Sequence, residues 1–149
     1  MSKFGPQLAG AGGFINISQN AKKVVFAGTF VAGAMEIQYR HGSLRIVRDG
    51  DVRKFVRQVE QVTFSGDVAR RSGKPVLYIT ERCVFRLMKD GLELTEIAPG
   101  VDLDRDILAK MDFKPLIPKD PEFMDPRIFA AEPMALYLRR GYESFLCQS

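Results

Sequence analysis

The 149-residue sequence predicts an α/β or α+β domain built on a mixed sheet, with strands outnumbering helices. Three observations carry this. Val24-Val25-Phe26 and Val76-Leu77-Tyr78-Ile79 are apolar runs without alternation, as in strands covered on both faces. Asp49-Gly50 and Asp90-Gly91 are strong hairpin dipeptides between strand-like runs. At 46% hydrophobic residues the chain is long enough for one domain with its own core.

Taken in order, residues 1–12 are rich in Gly and Pro and read as a loop. A short helix over about 13–20 places Phe14 and Ile17 inward at i, i+3. Residues 23–29 then read as a central strand. Met35-Glu36-Ile37-Gln38-Tyr39 alternates as a half-buried strand, His41-Gly42 turns, and Leu44-Arg45-Ile46-Val47 is its partner. Residues 52–64 alternate poorly and read as one or two strands. Residues 67–72 are a surface loop or a single helical turn, closed by Gly73 and Pro75. After the strand at 76–79, Val84-Phe85-Arg86-Leu87 and residues 92–97 flank Asp90-Gly91. Asp102 is an N-cap for a helix over about 103–111 that sets Leu103, Ile107, Leu108 and Met111 on one face. Residues 113–117 read as a last short strand. Pro118, Pro121, Pro126 and Pro133 then mark an extended tail wrapping a surface, with a short terminal helix around Leu136, Tyr137 and Leu138.

The net charge of +4 interleaves 22 basic with 18 acidic residues, and no Lys/Arg run is interleaved with aromatics. This balance argues for solubility and against a nucleic-acid groove. Arg70-Arg71 and Arg139-Arg140 read as solvated faces. Cys83 and Cys147 make neither a disulfide framework nor a zinc ligand set, Cys83 reads as a core thiol, and no metal site is expected. Without an apolar leader or membrane-length run, the expected setting is soluble and cytoplasmic.

The chain is organised around Leu8-Ala9-Gly10-Ala11-Gly12-Gly13-Phe14-Ile15-Asn16-Ile17-Ser18. Glycines cluster where a backbone must take φ > 0 or approach another surface closely. On spacing alone Gly10, Gly12 and Gly13 have two readings. They form only a tight connection, or a turn into a helix start whose free N–H groups suit an anionic oxygen.

The runs Ser2-Lys3-Phe4-Gly5-Pro6, the turn at 10–14, Gln19-Asn20-Ala21-Lys22-Lys23-Val24-Val25-Phe26 and Gly28-Thr29-Phe30 are similar to family I coenzyme A transferases. The likeness is to the fused-chain group of propionate, acetate and short-chain acyl-CoA transferases. Arg53-Lys54-Phe55-Val56, residues 61–66, Tyr78-Ile79-Thr80-Glu81-Arg82 and Leu92-Glu93-Leu94-Thr95-Glu96-Ile97-Ala98-Pro99-Gly100 fit the same group. The resemblance runs in order from about residue 2 to about residue 130. It implies a piece of the family's three-layer α/β fold with β-hairpin insertions. Residues 1–118 would be the C-terminal part of the second transferase domain, and 119–149 a Pro-rich tail onto which nothing is carried. A Met followed at once by a family motif implies that the family's sequence continues upstream.

The resemblance also implies the chemistry. A family glutamate attacks the acyl-CoA thioester and carries coenzyme A as a glutamyl thioester before passing it to an acceptor acid, which requires donors for an oxyanion. That glutamate sits in a glutamate-plus-glycine motif. None of Glu36, Glu60, Glu81, Glu93, Glu96, Glu122, Glu132 and Glu143 lies in one, so no catalytic residue is assigned here. Glu81 reads as a carboxylate paired to a neighbouring Arg at a strand end, and Glu96 as structural. His41, the only histidine, reads as a surface turn residue and argues against a histidine-based triad. By resemblance Gly13, Gly12 and Gly10 lie beside the thioester end of coenzyme A. Phe14 either walls the acyl pocket or packs in the core. Asn16 and Asn20 either supply donors or cap the helix, capping being the simpler reading. Lys22 and Lys23 either meet coenzyme A phosphates or are solvated.

The implied function is thus part of an acyl-CoA:carboxylate coenzyme A transferase, inactive alone. Coenzyme A is a substrate, and no permanently bound cofactor is expected. The partners are acyl-CoA, a short-chain carboxylate and the missing upstream part, with self-association into a homo-oligomer and neither nucleic acid nor membrane. The alternative is a partner-binding or structural remnant of the fold that performs no chemistry.

Overall fold

The structure is a computed structural model that describes residues 12–58 and 64–136. It is a mixed α/β fold whose spine is a five-stranded sheet. Its strands, in spatial order, are β1 (Val24–Ala27), β6 (Val76–Ile79), β7 (Cys83–Met88), β8 (Gly91–Ile97) and β9 (Glu122–Phe123). β1 lies parallel to β6, β6 to β8 form an antiparallel meander, and β9 returns parallel to β8. Two antiparallel ribbons stand beside the sheet. One pairs β2 (Val31–Ala32) with β5 (Val52–Arg53), the other β3 (Glu36–Arg40) with β4 (Ser43–Arg48). The helices are short: α1 (Phe14–Asn20) and α2 (Gly66–Arg71).

Alternation along β7 sorts the core, because successive side chains point to opposite faces. Cys83 and Phe85 join Phe30, Val31, Leu94, Ile107 and Met111 in one cluster. Val84 joins Leu44 of β4, Ala98, Met124 and Phe129 in another. Val24, Val76 and Ala69 of α2 make a third.

Two turns form as their sequences direct. Asp90-Gly91 closes β7 onto β8 with Met88 opposite Gly91. His41 and Gly42 take φ of 49° and 74°, the mirror-image turn that fits strand twist, and join β3 to β4. Ser65 caps α2, its hydroxyl accepting from Val68 N.

Elsewhere the structure corrects the reading. β1 is an edge strand among the described residues, not a central one. Val24 is buried, whereas Val25 is 49% exposed. The run lacks alternation in sequence, yet only one of its faces is covered. α1 exists, but Ile17 is 72% exposed and the buried residue is Ser18. The Lys74 ammonium anchors that helix by donating to the Ser18 and Gln19 carbonyls. Asp49-Gly50 closes no hairpin, since β4 pairs with β3 and β5 with β2. The Asp49 carboxylate is bound to Arg82 and Lys110 instead. Gly50 is pressed against β2, where a Cβ would lie 2.3 Å from the Ala32 carbonyl.

Of residues 52–64 only β5 is a strand, and 59–63 lie outside the described residues. Asp102 caps as read, accepting from Arg105 N at 2.8 Å. The chain then winds into a wide π turn (Leu103–Ile107) and a 3₁₀ turn (Leu108–Lys110) in place of an α-helix. Arg82 takes the Asp106 carbonyl at 2.9 Å, so this oxygen serves the core rather than a helical bond. The intended apolar face survives: Leu103, Ile107, Leu108 and Met111 all reach the first cluster. Residues 113–117 make a single bridge, Leu116 to Glu93, rather than a strand. The Pro-rich segment does more than wrap a surface. It adds β9 to the sheet, and a 3₁₀ turn (Pro126–Phe129) delivers buried Phe129. Residues 133–136 have no regular structure, and the rest of the expected terminal helix lies outside the described residues.

Candidate functional site

The glycine turn leads into α1 on the surface. Gly12 takes φ +51°, a conformation that favours glycine, and Gly13 is the N-cap with φ −75°. No side chain caps this end, and the Gly13 carbonyl accepts from Ile17 N at 2.9 Å. Gly12, Gly13, Phe14 and Asn16 are exposed together, whereas Gly10 lies outside the described residues. The Asn20 amide donates to the Asn16 carbonyl (2.9 Å) and to Asn16 Oδ1 (2.7 Å), closing the last turn of α1. Lys22 and Lys23 are exposed.

Phe14 belongs to a chain of rings. Its centroid lies 5.9 Å from that of Phe26, which stacks on Tyr78 at 5.0 Å and meets Phe64 edge-on at 5.3 Å. Phe26 and Tyr78 are register partners on the parallel pair β1 and β6. At the carboxyl ends of these two strands opens a cleft of about 390 Å³, lined by Phe26, Lys54, Phe55, Tyr78, Leu92 and Phe113, with Gly28, Thr29 and Thr80 at the strand ends. Crevices at the carboxyl ends of parallel strands are where ligands bind in open α/β sheets. Burial pushes the Tyr78 phenol above its ordinary range, so it is neutral at pH 7.

Among the described residues, Lys54 is the only charged one lining the cleft. Its Nζ donates to the Thr29 carbonyl (2.8 Å) and to Thr29 Oγ1 (2.9 Å), while Thr29 Oγ1 donates to the Val31 carbonyl at 2.6 Å. The segment carrying Lys54 is fixed by its neighbours. Arg53 pairs with Asp112 (2.7 Å), Arg57 Nε donates to the Asp112 carbonyl (2.7 Å), and Asp112 N donates to the Phe55 carbonyl (3.0 Å).

Behind the cleft the Thr80-Glu81-Arg82 turn forms a buried brace. Glu81 Oε2 accepts from Phe30 N at 2.8 Å and Oε1 from Arg82 Nε at 3.0 Å, which bears out its reading as the partner of a neighbouring Arg. Arg82 is fully buried, with Asp49 and the Asp106 carbonyl as its other oxygen partners. Burial opposes the Asp49 charge, but the bonds from Arg82 and Lys110 prevail and hold its carboxyl below the usual range. Burial pushes the Cys83 thiol up to about 12, which suits the core role read for it. The reading assigned no role to Lys54 or Tyr78. The available signal was their place in two of the matching motifs, but nothing local says that the two segments meet.

Among the described residues no group of three or more His, Cys, Asp or Glu side chains is placed to hold a metal ion, and no helix is long and apolar enough to cross a membrane.

No protein-family model matches the sequence. Acetate CoA-transferase YdiF of Escherichia coli, from strain K12 and from O157:H7, is 49% identical over 136 residues, which is 91% of this chain and 26% of the relative. The relatives are coenzyme A transferases. Caffeate CoA-transferase of Acetobacterium woodii is 49% identical over 126 residues, 85% of this chain and 24% of that protein. The crystal structure of the E. coli O157:H7 acyl-CoA transferase (YdiF) apoenzyme matches with a TM-score of 0.86 at 49% identity, covering 91% of this chain and 26% of that one. Its thioester complex with CoA matches equally well, with 27% of that chain covered. The chain therefore spans about a quarter of the length of the relatives it matches.

Proposed function

We propose that this chain is part of an acyl-CoA:carboxylate coenzyme A transferase of the acetate, propionate and short-chain acyl group. In this reading residues 1–118 are the C-terminal portion of its second domain, and 119–149 are a tail. The observation that carries it is the match of 91% of the chain, at 49% identity and a TM-score of 0.86, to a transferase also solved as a thioester complex with CoA. The exposed turn at Gly12 and Gly13 supports the role given to it by resemblance. A turn uncapped by side chains leaves first-turn N–H groups for the thioester oxygen, where developing negative charge needs donors. Phe14 stands at the rim of that turn, 40% exposed, and is available to a substrate's acyl end. Coenzyme A is then a substrate, and the attacking glutamate belongs to a polypeptide segment outside these 149 residues.

The test is intact-mass spectrometry in mild acid after incubation with acetyl-CoA or propionyl-CoA, with no reductant, so that a glutamyl thioester of coenzyme A stays on the protein. It is run on the chain alone and with the upstream portion of a relative supplied as a second polypeptide. The expected result is a covalent adduct on the upstream polypeptide only when both are present, and acetate-dependent exchange only then. Turnover by the chain alone would overturn the assignment of the nucleophile. Neither adduct nor complex would leave the non-catalytic remnant.

A further inference from the structure

We infer that the groove between α2 and β7 docks an acidic polypeptide segment that carries an apolar or aromatic anchor, its carboxylates on the groove's cations and the anchor on the apolar lining between them. The inference is independent of the transferase reading.

Charge singles out this surface. A groove of about 750 Å³ lies at the amino end of β6, between the end of α2 and the turn that closes β7 onto β8. Of the chain's 22 basic and 18 acidic residues, five basic and one acidic line it, which leaves 17 of each elsewhere. The whole net charge of +4 is thus gathered here. Arg70 and Asp67 cancel as an ion pair, and Arg70 Nη1 donates to the Lys89 carbonyl at 2.9 Å, tying α2 to the turn. Lys74 donates to the Ser18 (3.1 Å) and Gln19 carbonyls, which are neutral, so its charge stays uncompensated. Among the described residues the side chains of Arg71, Arg86 and Lys89 make no hydrogen bond or ion pair. Arg86 is unpaired even with Glu93, its register partner on β8.

Between these cations the lining is apolar, with Pro75, Leu87 and Met88, and Met88 is 38% exposed. Methionine adapts its shape to varied contacts, and both arginine and methionine are enriched at protein interfaces. Cations around an apolar lining are complementary to a segment of opposite charge with an apolar anchor.

A phosphate cluster is the poorer fit. Phosphate sites use converging backbone N–H groups and the positive start of a helix. Here α2 brings its C-terminal end, the negative one, and the N–H groups of Ser72, Gly73 and Lys74 are spent on the Val68, Arg70 and Ala69 carbonyls. Carboxylates spaced along a peptide instead meet cations delivered by separate elements: Arg71 ends α2, Lys74 follows it, Arg86 is on β7 and Lys89 is in the turn after β7.

The test is fluorescence anisotropy on the full 149-residue chain, with a labelled peptide of one phenylalanine between two short runs of glutamate. The peptide is expected to bind saturably, and at least about tenfold more weakly in molar salt than in dilute buffer, because exposed charges are screened. Replacing its glutamates by glutamine, or its phenylalanine by serine, should each weaken it by about tenfold. Arg71→Glu combined with Lys89→Glu should cost at least about tenfold. Arg40→Glu combined with Arg45→Glu makes the same change in net charge on the β3–β4 ribbon and should leave the affinity within about twofold. All four positions are exposed, so both double variants should melt as the parent does, and circular dichroism melts are recorded beside the titrations. Equal weakening by the two double variants would show attraction to net charge alone and overturn the proposal. So would a glutamine peptide that binds as tightly as the glutamate one. Displacement by tripolyphosphate or a DNA duplex at a lower concentration than by unlabelled peptide would also overturn it. If a variant does not fold, the peptide and salt series on the parent chain decide.

Discussion

Arg82 has five N–H donors, and the fold uses all five. Nε serves Glu81, Nη1 serves Asp49 and the Asp106 carbonyl, and Nη2 serves Asp49 and Met35 Sδ, with the Phe30 ring 5.2 Å beneath the guanidinium. Lys110 on the far side of Asp49 balances the second carboxylate. A buried cation so placed is weak evidence of net stability, but removing one partner is costly because the remaining charge is stranded. Asp49→Ala is therefore expected to lower the unfolding free energy by roughly 3 kcal/mol at pH 7 in urea melts. The pH dependence stems from the depressed Asp49 carboxyl. Its contribution is fully present above the unfolded value of 3.8 and is lost as pH falls through the lower folded value. The difference between parent and Asp49→Ala should accordingly shrink below about pH 4, and a constant difference from pH 7 to pH 3 would count against the pairing. Only one part of this brace was legible in the sequence. Glu81 beside Arg82 is a neighbour relation, but Asp49 lies 33 residues away and Asp106 lies 24, and no local rule joins them.

At the scale of elements, legibility followed locality. The turns at 41–42 and 90–91 contain their own instructions, positive φ and a short loop, and both formed. The Asp49-Gly50 pair carries the same dipeptide but answers to distant partners, so its strand neighbours are β3 and β2 rather than each other. The same logic separates two glycines by consequence. Gly73 has φ +65° and open space where a Cβ would stand, so Gly73→Ala meets only the left-handed strain, about 1 kcal/mol. Gly50 is free of that strain but has the Ala32 carbonyl in the way, on backbone that cannot swing aside as a side chain would. Gly50→Ala is expected to cost about 2–3 kcal/mol by forcing β2 from β5, and to exceed Gly73→Ala in thermal or urea melts. The reverse order would mean that β2 and β5 part easily. The glycine turn was legible as a turn, and its location at an exposed, uncapped helix start agrees with its composition. The cleft was not legible, because Lys54 and Tyr78 reach it from segments that only the tertiary fold brings together.

For the whole molecule the open question is what covers β1. Val24 N donates to the Pro75 carbonyl (3.0 Å) and Gly28 N to the Ile79 carbonyl (3.1 Å). Alternation then turns the main-chain groups of Val25 and Ala27 outward, to a sheet edge with no further strand among the described residues. Beside that edge lie apolar side chains: Ile17 is 72% exposed and Val25 49%. Native proteins blunt exposed edges with charge or cover them, since an unpaired, apolar edge recruits another strand. Lys22 and Lys23 flank β1 without interrupting it. We therefore expect the chain alone to self-associate, with a light-scattering mass above the 16.7 kDa of one copy. Val25→Lys places a charge on the edge and should shift the population to monomer while leaving the melting temperature within a few degrees, as befits a half-exposed position. A monodisperse monomer from the parent would show that this edge is already covered. If adding the upstream polypeptide dissolves the oligomer, the same edge serves both contacts. β1 would then be an interior strand once the two polypeptides are joined, as its Val-Val-Phe run implies.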